Sequence, residues 1–221
     1  MLQYKPPELS TCCRWLEVDL VVPHATFGWT LIGGGLGHAQ RVFWHHVSDE
    51  DLPHDVDPKR LFEDRRTQRT GDIQGVGFLT GCRLAQFVEK RRDRRQLSAR
   101  CIATVGLRNA LRIGDLPCPT AGSPGTINLL LQTSFPLSDC AALEALSLVA
   151  EARTLAVLEA RVASGVGSAI ATGTGTDCIV VASPLPSGND REVCFSGKHT
   201  PFGHLIGSCV YDAVSQGIGR P

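Results

Sequence analysis

The sequence predicts an α+β fold, a mixed α/β arrangement in which β-sheet is covered by two long helices. Three observations predict it. Strand-like and helix-like segments follow one another without strict βαβ alternation. Residues 138–162 and 202–216 read as helices, and the first is apolar around most of its circumference. Short β-branched runs such as Ile179-Val180-Val181 stand beside glycine-rich crossings, as buried strands do.

The elements follow in order. Leu16 to Val22 alternates apolar with polar and ends at Pro23, so it reads as a strand with one buried face. Thr26 to Ile32 reads as a second strand, closed by the glycine run 33–37, and Arg41 to Val47 as a third. The acidic, proline-containing stretch 48–58 is a loop, and Pro58 suits the first turn of a short helix through Thr67. Ile73 to Thr80 reads as a strand, Leu84 to Gln96 as a helix with a basic end, and Ala99 to Val105 as a strand. A glycine- and proline-rich connection spans 115–125, and Thr126 to Phe135 is a strand. Ser138 can cap the long helix, and Asp139 favours its positive N-terminal end. Residues 169–172, 178–183 and 192–195 read as strands before the last helix. Residues 103–113 echo 171–181 without a gap, Asn109 falling on Asp177, which suggests an internally duplicated half.

The 221 residues suffice to bury a substantial core, and the formal net charge is zero. That balance argues against a global pull on nucleic acid or on a membrane surface. There is no apolar run of membrane-spanning length and no leader pattern at the N-terminus. The nine cysteines are irregularly spaced, form no C-x-x-C, and in several cases sit in apolar runs. They read mostly as buried, reduced thiols, which favours a cytoplasmic setting.

Two phosphate-binding patterns fail. His38 stands where the third glycine of G-x-G-x-x-G belongs, and Glu192 stands where a P-loop needs its first glycine. The histidines show no compact metal spacing, so neither a metal nor another cofactor is predicted. The basic run Glu89 to Arg95 lacks interleaved aromatics and reads as a solvated end.

Chemistry concentrates in three places. Residues 171–177, Ala-Thr-Gly-Thr-Gly-Thr-Asp, set Thr172, Thr174, Thr176 and Asp177 on a tight crossing ahead of a strand. Lys198, His199 and Thr200 gather a cation, an imidazole and a hydroxyl ahead of the last helix. The plainer reading of that turn is a helix entry, with Thr200 as cap and Pro201 in the first turn. Glu144 and Glu151 lie seven residues apart on the long helix, hence on one stripe about 10 Å apart along its axis, with Ser147 close to it. They either face a cleft or form a solvated face.

These segments resemble the adenosylcobinamide amidohydrolase family, called CbiZ. The resembling stretches are residues 103–112 (ATVGLRNALR), Gly125-Thr126-Ile127-Asn128, residues 144–156, residues 171–182 and Gly197-Lys198-His199-Thr200. They keep the family's order across 99–215, with a weaker match at 33–42 and a divergent N-terminal part, 1–70, in what reads as one domain over 1–221. The resemblance implies a corrinoid partner and hydrolysis of the amide joining aminopropanol to the corrin ring of adenosylcobinamide. It implies that His199, Asp177, Lys198 and Glu151 carry the chemistry. Thr172, Thr174, Thr176, Asn109, Asn128, Glu144 and Thr200 would bind substrate, the two loops sharing one pocket. In the mechanism this suggests, His199 or a carboxylate activates water and Lys198 stabilises the oxyanion, with Thr174 or Thr176 as an alternative nucleophile. The family pattern places a Ser-Ser pair and an Asn where this chain has Gly28-Trp29 and Trp44. That departure motivates an alternative, a corrinoid-binding protein without hydrolytic activity. The basic run motivates a third reading, a nucleic-acid-binding module.

Overall fold

The structure, a computed structural model, describes residues 14–71, 74–116, 125–188 and 191–219. In chain order the elements are β1 (Trp15–Trp29), β2 (Gly35–His46), α1 (Pro58–Thr70), β3 (Val76–Thr80), β4 (Val88–Arg94), β5 (Leu97–Val105) and β6 (Ala110–Leu111). They continue with β7 (Ile127–Thr133), α2 (Asp139–Glu159), β8 (Gly173–Thr174), β9 (Cys178–Pro184) and α3 (Pro201–Ile218). One seven-stranded sheet runs β3-β2-β1-β9-β7-β5-β4, and β6 pairs with β8 outside it. The sheet is mixed: β2–β3 and β7–β9 are parallel, and the remaining neighbours are antiparallel. This is the α+β class that the sequence predicts.

α2 and α3 lie on one face of the sheet. Small residues of α2 (Ala141, Ala145, Ala152, Ala156) let it approach Leu129, Leu131, Ile179 and Val181 closely, and Leu205, Ile206 and Val210 of α3 complete that core. Ser138 caps α2, its hydroxyl accepting from the Ala141 amide. The other face is covered by the sheet's own curl. Leu16, Val18, Val42, Trp44, Val76 and Phe78 fold over Ile102, Leu130 and Val180. An Asn128 amide that donates to the Leu79 carbonyl at 2.7 Å ties β7 to β3 across this interior.

Several boundaries differ from the sequence reading. Residues 16–22 and 26–29 are not parts of two strands but belong to one bent β1, whose register shifts between Asp19 and His24, and of 30–32 only Ile32 makes a bridge, to Gly77. Pro23 falls in that bulge, where a missing N–H interrupts no ladder bond. β2 begins earlier than expected, at Gly35. Residues 84–96 do not form a helix. A 3-10 turn, Leu84–Gln86, leads into β4, an edge strand whose charged side chains keep the sheet rim soluble. Residues 192–195 form no strand and make only a single bridge, Leu137 to Val193. The segment 169–172 likewise makes one bridge, from Ile170 to Ala163, just before β8. Ile73 and residues 117–124 of the 115–125 connection lie outside the described residues.

The suggested duplication is not confirmed. Ala103 to Val105 lie in β5 of the large sheet, whereas their counterparts 171–173 lead into β8. Ala110 and Leu111 pair with Thr174 and Gly173, so the echoing segments are antiparallel neighbours rather than equivalent halves.

None of the six described cysteines is in a disulfide: Cys101 and Cys209 are buried, Cys82 and Cys178 half-buried, and Cys140 and Cys194 exposed. Burial pushes the Cys209 thiol up to about 12. The reading of mostly buried thiols therefore holds for the first two and not for the last two.

Candidate active site

Two polar loops grip α2. The first is the corner that precedes β9. The Asp177 carboxylate takes an ion pair from Arg153 of α2 and a hydrogen bond from the Thr174 hydroxyl. The Thr174 amide donates to it at 3.0 Å and the Ile127 amide at 3.1 Å. Both oxygens are thus occupied, and the side chain is only 6% exposed. Burial lowers the pKa of the Arg153 guanidinium, and the ion pair answers the cost of that burial.

The remaining predicted residues of this corner hold its walls together. The Thr126 hydroxyl donates to the Thr176 carbonyl at 2.7 Å, and the Gly175 amide donates to the Asn109 carbonyl at 3.0 Å. The Thr172 hydroxyl accepts from the Ile113 amide at 2.8 Å. Asn128 is fully buried, its amide engaged with Leu79. The Trp29 indole, half-exposed, donates to the Asp177 carbonyl at 2.7 Å. Gly28 is forced by the strand beside it, since a Cβ there would collide with the Ile179 carbonyl. Trp44 is wholly buried and stacks on Phe78, with ring centroids 4.7 Å apart.

The second loop is the turn 196–200, seated on the N-terminal half of α2. Glu144 accepts from the Ser196 amide at 2.6 Å, and the Ser196 hydroxyl donates to the Ala141 carbonyl at 2.7 Å. Thr200 caps α3, accepting from the Gly203 amide at 2.9 Å, with Pro201 in the first turn. Lys198 pairs with Glu151, and both remain largely in solvent, at 71% and 50% exposed. Ser147 lies beside them, 3.5 Å from Glu151. The point where a Gly197 Cβ would stand is 3.6 Å from His199 Nδ1 and 3.7 Å from Glu144 Oε1. The absence of a side chain at 197 therefore leaves room between an imidazole and a carboxylate.

The structure thus brings Glu144, Glu151, Lys198, His199 and Thr200 together. It brings Asn109, Thr172, Thr174, Thr176 and Asp177 together separately. The two sets do not line one pocket floor. Arg153 is two positions after Glu151, and a two-residue rotation carries it to nearly the opposite side of α2. Nine residues separate Glu144 from Arg153, about 14 Å along the axis. Arg153 is the residue that sequence reasoning missed. It stood unremarked within the 144–156 stretch, and only its long-range partner reveals its role.

Beside the second loop lies a cleft of about 450 Å³, walled by residues 191–195 on one side and Thr200, Pro201 and Phe202 on the other. Among the described residues, no three His, Cys, Asp or Glu side chains converge on a common metal position. No helix among the described residues is long and apolar enough to cross a membrane. In the basic run, Arg91 pairs with Asp93 and Arg92 with Asp212.

Fold and site together define an α+β protein with acid–base groups gathered on the outer side of its helix layer. The sequence profile of the CbiZ family, described as adenosylcobinamide amidohydrolase, matches residues 4–221. The chain belongs to that family. Adenosylcobinamide amidohydrolase of Halobacterium salinarum is 33% identical over 206 residues, which cover 89% of this chain and 81% of the relative. The Methanocaldococcus jannaschii protein MJ1613, itself uncharacterised, is 37% identical over 95 residues, or 42% of this chain. The match spans only 36% of that relative's length. The crystal structure of the PH0078 protein from Pyrococcus horikoshii aligns over 99% of this chain and 82% of its own, with TM-score 0.47 and 10% identity.

Proposed function

We propose that this protein hydrolyses the amide joining aminopropanol to the corrin ring of adenosylcobinamide, yielding adenosylcobyric acid and free aminopropanol. Family membership supports the reaction class. The observation that carries the reading is the turn at Gly197, where the His199 imidazole and the Glu144 carboxylate both come within 3.7 Å of the point a Cβ would occupy. Amide hydrolysis needs a base for water, a cation or donors for the oxyanion, and an acid for the leaving amine.

In this reading a water attacks the carbonyl carbon while His199 takes its proton, and Glu144 orients the imidazole or the water. The Lys198 ammonium, held by Glu151, faces the oxyanion. When the C–N bond breaks, the imidazolium returns the proton to the amine, leaving a carboxylic acid on the corrinoid that then ionises to water or to the amine. Asp177 is unsuited to act as the base, because Arg153, two amides and a hydroxyl occupy its oxygens. The same saturation lowers its ability to activate Thr174 as a nucleophile. Asp177, Arg153 and the threonines of the corner instead brace the C-terminal half of α2.

A corrinoid-binding protein without turnover is the second reading. Half-exposed Trp29 favours it, whereas buried Trp44 offers no surface to a ligand. Incubation of the protein with adenosylcobinamide, followed by mass spectrometry, separates the two. Cobyric acid and aminopropanol support the hydrolase. Intact substrate accompanied by a shift in corrin absorbance supports the binder.

A further inference from the structure

We infer that the cleft between residues 191–195 and the start of α3 seats the amide-bearing side arm of the corrinoid, and that Phe195 determines its affinity. This rests on the reading that the amide is cleaved at the 196–200 turn. The two walls of the cleft are the chain segments on either side of that turn, so a ligand in it abuts Thr200, the turn's last residue. Its volume, about 450 Å³, is in the range of small-molecule sites. A whole corrinoid exceeds it, whereas an arm of methylenes and one secondary amide fits.

Phe195 is 62% exposed. Its exposure does not come from a loose loop. Two residues earlier, the Val193 amide donates to the Pro136 carbonyl at 2.9 Å, and the Val193 carbonyl accepts from Ser138 at 3.0 Å. On the other side, buried Ser196 is held by Ala141 and Glu144. The backbone is pinned on both sides of the ring while the ring itself stands in solvent, an arrangement that favours an apolar ligand. The facing wall is equally firm, because Phe202 rests edge-on against Phe135, with centroids 4.8 Å apart. Alkyl carbons between the two rings would be desolvated, while the amide at their end meets the polar turn. Arg191 stands at the rim, where an amide oxygen of the ligand can accept from it.

Cys194 lines the cleft and is exposed, whereas the exposed Cys140 lies on α2 and is not among its walls. Iodoacetamide labelling followed by peptide mass mapping therefore reads occupancy without needing turnover. Saturating adenosylcobinamide is expected to slow Cys194 labelling at least tenfold and to leave Cys140 unchanged. Equal labelling of Cys194 with and without adenosylcobinamide overturns the proposal. In steady-state assays Phe195→Ala is expected to raise KM about tenfold with kcat within about twofold, and Phe195→Leu to recover most of the affinity. Ile113→Ala, which truncates a barer apolar side chain that is not among the cleft's walls, is expected to change neither constant. An unchanged KM in Phe195→Ala also overturns the proposal. If wild-type protein protects Cys194 but releases no aminopropanol, the seat stands and the hydrolase reading falls.

Discussion

The corner at Asp177 and the turn at 196–200 are built from the same kinds of residue, glycine, threonine and a charged group, and both hold α2. They differ in what is left over. At the corner every oxygen of the carboxylate has a donor, and the side chain is 6% exposed. At the turn a lysine and a glutamate pair in solvent, and an imidazole and a carboxylate stand on either side of Gly197. A buried, saturated polar cluster rigidifies and is costly to break, whereas groups that stay in contact with solvent can exchange protons. Residue type alone does not separate the two. Partnership does.

The sharpest way to break the comparison is to open the corner. Asp177→Ala strands Arg153 in a buried site and removes the acceptor for two amides. Breaking such a pair costs about 3–5 kcal/mol, which urea denaturation should register as a large drop in midpoint. A midpoint unchanged in Asp177→Ala would mean that the corner is not the locked element described above. The complementary change, His199→Ala, should leave the urea midpoint nearly in place and lower kcat by about 100-fold or more. If stability falls and turnover survives, the roles of the two loops are exchanged.

Acid sharpens the same contrast elsewhere in the molecule. His45 follows the corner's rule. Its Nδ1 bonds to the Arg14 carbonyl at 2.9 Å, its Nε2 faces Arg65 at 3.0 Å, and Trp15 stacks on it. Burial first, and then the nearby Arg65, lower its pKa to about 4. The unfolded chain, with the ordinary value near 6.5, takes up the proton first. The stability held by neutral His45 is therefore present above pH 6.5 and lost as pH falls toward 4. His24 and His46 shift in the same direction through burial. His45→Gln should flatten part of the pH dependence of the denaturation midpoint across this window.

The smallest effect belongs to the exposed pair. Lys198→Ala removes an ion pair largely in water, worth about 0–1 kcal/mol, so thermal unfolding should move by a few degrees at most. Its effect on kcat, measured alongside, tells whether the ammonium serves the oxyanion or only decorates the surface.

Much of the fold was legible because apolar periodicity reports burial directly. The capped long helix, the last helix entered through Thr200 and Pro201, and the runs 126–135 and 178–183 all fall close to the elements observed. The 84–96 segment was not legible, because an edge strand bearing charges on both sides shows no alternation. Its strand character comes from pairing with β5, a partner the local sequence does not name. The same reason split β1 in two, since a bulge and a terminator look alike until the neighbouring strands are in place. At the site, the residue types were legible and their distribution was not. Thr200 reads as a cap and is one, while Arg153 was invisible.

By itself the sequence determined the class of fold, the starts of its principal helices and the family, because capping, burial pattern and motif order are local properties. Tertiary structure alone decided that Asp177 is locked, that Glu144 and His199 meet at Gly197, and that α2 separates the two loops. The physical reason is that a carboxylate's chemistry depends on which donors fill its lone pairs. For Asp177 those donors include Ile127 and Arg153, which only the folded chain brings within reach.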